Sequence, residues 1–204
     1  MNKTKVLFIV PPLVPIEDLI AVDNPRMNWG YTSSIPLGVL SIVAYTEKHT
    51  DACFKITDLN LLLSEQMKEF KSFTWDDFIK EQLLRISPKF SPDIVGISAI
   101  FDSNGGYLHS ISTTVKRLWP GTLVVTGGGL PTNMYKYVLD IAPAIDAVLA
   151  GEGERPFARL VSAADRMKHL NTATGWVTRT RLKEPATLEF ISDLDEIPIF
   201  NYDL

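Results

Sequence analysis

Short apolar runs alternate with segments of helical period along most of the chain. Val6–Val10, Phe54–Asp58, Asp93–Ser98, Thr122–Thr126 and Ala144–Leu149 read as strands. Near-continuous apolar runs of this length suit a parallel sheet covered on both faces. Between them, Pro36 stands at a first-turn position ahead of Leu37, Leu40, Val43 and Ala44, which recur at helical spacing. Thr74 with Asp76 and Asp77 predicts an acidic, capped start to a helix facing inward through Trp75, Phe78, Ile79, Leu83 and Ile86. Leu108, Ile111, Val115 and Leu118 form a third stripe, and Met134, Tyr137, Val138 and Ile141 a fourth. Pro156 opens a fifth that runs through Phe157, Leu160, Val161 and Ala164.

This alternation predicts an α/β, Rossmann-like (flavodoxin-like) doubly wound sheet of five parallel strands in the order 2-1-3-4-5, spanning residues 1–170. After residue 171 the pattern changes. Gly175–Arg181 alternates as an exposed strand that Leu188–Ile191 pairs with as a β-hairpin, and the acidic stretch Asp193–Pro198 reads as a linker, so 171–204 forms an appendage.

Composition removes several functions. The chain has 204 residues with 20 Lys+Arg against 24 Asp+Glu, a net charge of -4 that argues against nucleic acid as a partner. Its one cysteine, Cys53, excludes an internal disulfide and any all-cysteine zinc or iron–sulfur site within these residues, and reads as a small buried hydrophobe. His49, His109 and His169 have no ligand spacing, so neither a metal site nor a catalytic residue is assigned. No apolar run approaches the ~18–20 residues of a membrane span. The apolar start after Lys3 and Lys5 stops at Pro11-Pro12 without a cleavage site, which points to the cytoplasm.

In this strand order a ligand sits at the carboxyl ends of strands one, three and four. The loop from Pro11 to about Ile35 runs roughly two dozen residues, far beyond the usual ~2–6. It holds four prolines and Asn28-Trp29-Gly30-Tyr31. The turn Ser98–Gly106 offers hydroxyls and glycines. There Ser103 or Asn104 caps the next helix, lines a ligand, or does both. Thr126-Gly127-Gly128-Gly129 removes three consecutive Cβ atoms from a strand end, either for a tight turn or for a ligand lying on bare backbone. Gly151-Glu152-Gly153-Glu154 leads into the fifth helix, where the two carboxylates repel phosphate and suit hydroxyl or amide recognition, or the helix dipole. Neither a dinucleotide fingerprint nor a phosphate loop is present.

Taken together, these residues resemble the N-terminal cobalamin-binding domain of the cobalamin-dependent radical S-adenosylmethionine enzymes. The marks are Pro11-Pro12, Pro36-Leu37-Gly38-Val39-Leu40, Asp58, Asp93–Ser98, Gly127–Thr132, Gly151–Glu154, and the tail Leu194–Pro198 with Tyr202-Asp203-Leu204. The resemblance implies cobalamin as cofactor, held by Pro12, Ser98, Ala99, Ile100, Thr126, Gly127, Gly128, Gly129, Gly151, Glu152 and Gly153. The nucleotide tail would lie in the crevice, and the corrin over the Pro11–Ile35 loop and the Ser98–Asn104 turn. The D-x-H-x-x-G motif is absent, as in the radical subgroup. So is a C-x-x-x-C-x-x-C motif. S-adenosylmethionine, a 4Fe-4S cluster and the radical barrel are therefore expected in a longer parent, of which this is a fragment that catalyses nothing alone. The parent would transfer a methyl group to carbon or carry out a related rearrangement or cyclisation. Two alternatives stand beside this. One is a cofactor-free docking or substrate-shielding module. The other is half of a nucleotide-sugar transferase, in which Glu152 or Glu154 would hold the ribose. In the leading reading, Gly128→Val leaves the sheet folded and blocks the crevice.

Overall fold

A computed structural model describes residues 3–13, 35–68 and 73–200. The long loop's Asn28–Tyr31 and the terminal Tyr202-Asp203-Leu204 lie outside the described residues. The sheet has six strands in the order β2-β1-β3-β4-β5-β6. These are β1 (Lys5–Val10), β2 (Cys53–Asp58), β3 (Ile94–Ser98), β4 (Leu123–Gly127), β5 (Ala147–Leu149) and β6 (Trp176–Val177). The first five are parallel, in the expected order. The sixth runs antiparallel to β5.

The alternation of side chains along β1 divides the interior in two. Leu7 and Ile9 face one side, where they pack with α2 (Leu59–Lys68), α3 (Trp75–Ile86), α4 (Gly105–Leu118) and α5 (Gly129–Ile141). Val6, Phe8 and Val10 face the other, against α1 (Leu37–His49), α6 (Glu154–Ser162) and α7 (Arg166–Thr172). Three layers result, with β1 buried on both faces, as its unbroken apolar run requires.

The Thr74 cap forms as the sequence indicates: its hydroxyl accepts the Asp77 amide at 3.2 Å, and Asp76 and Asp77 sit in the first turn. Other expectations are corrected. Pro156 is the third residue of α6 rather than the first, and Ala164 lies past its end at Ser162. Helix α5 departs from helical geometry at Met134, and Met134 and Tyr137 stand on its exposed side, so the inward stripe rests on Val138 and Leu139. Cys53 is half-buried at the start of β2.

The hairpin is the largest correction. Strand pairing stops after Val177, and Trp176, Val177 and Thr178 are buried rather than exposed. Beyond them the Arg179 guanidinium donates to the carbonyls of Leu139, Ala142 and Ile145 at 2.6–3.0 Å. Those contacts hold the chain in a 3-10 turn over Arg179–Arg181. The 188–191 segment instead makes a parallel bridge from Glu189 to Gly151.

On α7, the His169 Nε2 is buried with no partner among the described residues. Burial and, secondarily, the Arg159 charge hold its pKa below 6.5. The unfolded chain therefore binds this proton first, and stability falls as pH drops from about 6.5 toward the folded value. His169→Gln is expected to narrow the loss of thermal stability between pH 7.5 and pH 5. Melting curves at the two pH values test this, and an unchanged difference would assign the acid sensitivity elsewhere.

Candidate functional site

Strand register brings small residues together at the carboxyl edge of the sheet. Phe8, Gly96, Val125 and Ala147 form one cross-strand row, and Ser98, Gly127 and Leu149 the next, all on the α1/α6 face. At Gly96 a Cβ would stand 2.5 Å from the Phe8 ring, so the glycine lets that ring lie flat across β3. Opposite, α1 begins without a side-chain cap, and Gly38 has open space where a side chain would project. The result is a cleft of about 230 Å³ between the strand ends, the first turns of α1 and the Gly151–Glu154 turn.

Its lining is mainly apolar: Phe8, Val39, Ile42, Val125, Leu149 and Phe157. Glu154, the first residue of α6, is buried, and its Oε1 accepts from the Ser41 hydroxyl at 2.6 Å. The Trp176 indole Nε1 is buried with no partner among the described residues. Glu152 accepts the Ile191 backbone N–H. Thus both glutamates of the turn do meet a hydroxyl or an amide, but in each case one from this chain.

Eight of the eleven residues expected at the cofactor line this cleft: Ser98, Ile100, Thr126, Gly127, Gly128, Gly151, Glu152 and Gly153. The Thr126 hydroxyl is committed to the Ile97 carbonyl at 2.8 Å, which leaves its backbone for a ligand. Pro12, Ala99 and Gly129 are not among the lining residues. Ala99 is fully buried and its carbonyl accepts the Leu130 amide. The glycine triplet also divides by role. Gly128 has φ +112°, and its missing Cβ would lie 2.5 Å from the Ala99 carbonyl oxygen; that of Gly129 would lie 2.7 Å from the Ile100 carbonyl oxygen. These two glycines serve the approach of the β3–α4 turn. Gly127 alone has ordinary room, 3.5 Å from Leu149. Reading the sequence missed Phe8, Gly96, the α1 wall and Trp176. A glycine inside the otherwise apolar β3 was the one available signal.

The β3–α4 turn is fastened to the end of β1. Asn104 Oδ1 accepts the amides of Ile100 and Phe101 at 3.0 and 2.9 Å, while its Nδ2 donates to the Pro12 carbonyl at 2.7 Å. Ser103 donates to the Leu13 carbonyl at 2.7 Å. Both residues therefore act within the chain, and Asn104 is 1% exposed. Asn104→Ala removes three hydrogen bonds, of which the one to Pro12 is buried and the two to Ile100 and Phe101 are partly so, and is expected to cost about 1–3 kcal/mol in chemical denaturation. At the end of β2, Asp58 accepts the Leu61 amide at 3.0 Å, while burial raises its pKa above 3.8.

The segment from Thr187 onward crosses the α1/α6 layer and is held to the rim of the cleft. Arg155 makes two bonds of 2.6 and 2.7 Å to the Glu196 carboxylate, and Arg159 pairs with Glu189 at 2.9 Å. Ile191 packs between Tyr45 and Ala158. The expected linker is therefore docked through Glu196, with a 3-10 turn at Leu194–Glu196.

Similarity to known proteins bears on this cleft. The B12 binding domain family matches residues 31–161. An uncharacterized methyltransferase of Pyrococcus horikoshii is 29% identical over 211 aligned positions, which take in 100% of this chain and 39% of that protein. A cytidylyl-2-hydroxyethylphosphonate methyltransferase of Streptomyces wedmorensis is 27% identical over 78% of this chain and 28% of its own length. An anaerobic magnesium-protoporphyrin IX monomethyl ester cyclase of Rubrivivax gelatinosus is 35% identical over 45% of this chain and 16% of its own. The chain thus spans well under half the length of these relatives. The matched region contains β2 to β5, α1 and most of α6, and so all of the cleft's lining residues except Phe8 and Trp176, and this chain belongs to the B12-binding domain family.

Proposed function

We propose that the chain is the cobalamin-binding unit of a larger radical S-adenosylmethionine enzyme that methylates carbon or performs a related radical cyclisation. The single observation that carries this reading is the cleft at the carboxyl ends of β3 and β4. Its floor is apolar, and the strand positions Gly96, Ser98 and Gly127 in its lining carry small side chains or none. The fit to the cofactor is one of size and polarity. A cleft of about 230 Å³ suits a flat bicyclic base with part of its sugar, and is too small for a corrin ring. Ile100 and Phe101, both about half exposed, and Leu37 at the start of α1 offer an apolar ledge at the rim for the larger ring.

When bound, the cobalt corrin would supply group-transfer chemistry that no side chain possesses. The protein's part is to bind and orient it. Ser98, Gly127 and the Gly151–Gly153 turn would hold the nucleotide tail. The three histidines of the chain all lie outside the cleft lining. In this reading 1–170 is the cofactor-binding domain, and 171–204 leads toward the S-adenosylmethionine and 4Fe-4S part of the parent. Two facts support that arrangement: the chain covers 39% or less of its methyltransferase relatives, and its 187–197 segment is fastened to the rim of the cleft. Among the described residues no helix is long and apolar enough to cross a membrane, and we place the protein in the cytoplasm. Gel filtration with hydroxocobalamin is expected to give one corrin per folded chain. A folded chain that elutes free of corrin would favour the cofactor-free docking module instead.

A further inference from the structure

The Gly151–Gly153 turn belongs to two structures at once. On one side it lines the cleft. On the other it carries the crossing segment, because Gly151 bridges to Glu189 and the Glu152 carboxylate accepts the Ile191 N–H. Gly151 holds φ +89°, and the Leu188 side chain lies 3.4 Å from where its Cβ would stand. Two of the three turn residues are glycines, so bonds to the surroundings fix its shape.

The crossing segment turns its charges inward and its apolar side chains outward. Glu189 and Glu196 pair with Arg159 and Arg155 of α6, while Leu188, Phe190 and Leu194 are exposed. Within 187–197, Ile191 is the one buried apolar side chain, and the partly buried Ile197 packs beside it. Release of the segment therefore uncovers little apolar surface and breaks ion pairs that each contribute little. An element held this lightly on a firmly packed layer opens without global unfolding.

We propose that residues 187–197 form a releasable clasp on the cleft, docked when the cleft is filled and looser when it is empty. A ligand against the Gly151–Gly153 turn fixes it, and the fixed turn presents both backbone attachments that the clasp needs. By linkage, the docked clasp raises the cleft's affinity by the factor with which the ligand stabilises the clasp. Glu189, Ile191 and Glu196 are not among the lining residues, so their influence on the cleft passes through the turn. The inference rests on the reading that the cleft takes the tail of cobalamin.

The test is amide hydrogen exchange of the whole chain with and without hydroxocobalamin, read separately at the clasp and at residues 150–154. Cobalamin is expected to slow exchange at both about tenfold. Two variants release the clasp by different means: Glu189→Gln with Glu196→Gln removes the ion pairs, and Ile191→Asp removes the apolar anchor. Each is expected to speed exchange at the clasp and, without ligand, at the turn, and to weaken cobalamin binding about fivefold to tenfold. Circular dichroism reports whether each variant is folded. Should Ile191→Asp fail to fold, the charge-neutralised variant still decides the question. A released clasp with the turn or the affinity unchanged overturns the inference while leaving cobalamin binding intact. So does a clasp that stays protected in both variants, or one whose exchange cobalamin does not alter. Failure of the wild-type chain to bind cobalamin overturns the cofactor reading itself, and an unchanged turn in the ligand-free variants then overturns the coupling as well.

Discussion

Replacing Gly128 with valine is expected to destabilise the whole chain by about 3 kcal/mol or more, rather than to leave a folded protein with a blocked crevice. Two independent costs act at this position. Its φ of +112° belongs to a region that side-chain-bearing residues rarely occupy, and a Cβ there would press to 2.5 Å from the Ala99 carbonyl oxygen and 2.9 Å from its carbon. Ala99 has no slack to give: it is fully buried, its amide donates to Gly127 at 2.9 Å and its carbonyl accepts from Leu130 at 3.3 Å. Relief would require moving the β3–α4 turn, which Asn104 ties to Pro12. Urea unfolding of Gly128→Val and Gly128→Ala measures the loss. Alanine is expected to lose most of what valine loses, because the first added carbon makes the collision. Wild-type midpoints in both variants would contradict this account of the turn.

Gly127 is the position where fold and binding separate. It pairs with Ser98 on one side and Leu149 on the other, lines the cleft, and has a Cβ direction free of anything closer than 3.5 Å. A branched side chain is compatible with an extended strand, so Gly127→Val is expected to keep the sheet and its unfolding midpoint close to wild type. Its two methyl groups, however, occupy cleft volume that the tail base needs. Cobalamin affinity is expected to fall about a hundredfold, or ~2.7 kcal/mol. Spectrophotometric titration of the folded variant reads this directly. Unchanged affinity would move the tail out of this cleft, whereas loss of folding would mean that β4 has no room for the side chain.

These two glycines also mark how far the sequence could be read. The sheet order and the strands β1, β3 and β4 were legible because both faces of each are covered, which leaves continuous apolar runs without ambiguity. The hairpin was misread because local alternation over Gly175–Arg181 says nothing of Arg179 reaching the carbonyls at the end of α5. Helix α7 was missed because seven residues hold too few periodic positions to register. At the site, composition located the Gly127–Gly129 turn. It could not say which missing Cβ faces a ligand and which faces the Ala99–Ile100 backbone, because that depends on the φ of Gly128 and on a neighbouring turn distant in sequence. Trp176 was out of reach for the same reason. It enters the cleft through the antiparallel pairing of β6 with β5, a contact the sequence pattern does not encode. Gly96 carried a usable signal, a lone glycine in a buried strand, that went unread.

The most direct test of cobalamin held by its tail is the visible spectrum of cob(II)alamin bound to the chain at neutral pH. With the lower base drawn into the cleft and no histidine among the cleft residues, the bound cofactor is expected to show the base-off spectrum, whereas free cob(II)alamin under the same conditions is base-on. A base-on spectrum in the co-eluting complex would contradict the tail's placement, and a folded chain that leaves the free spectrum unchanged would contradict cobalamin binding altogether.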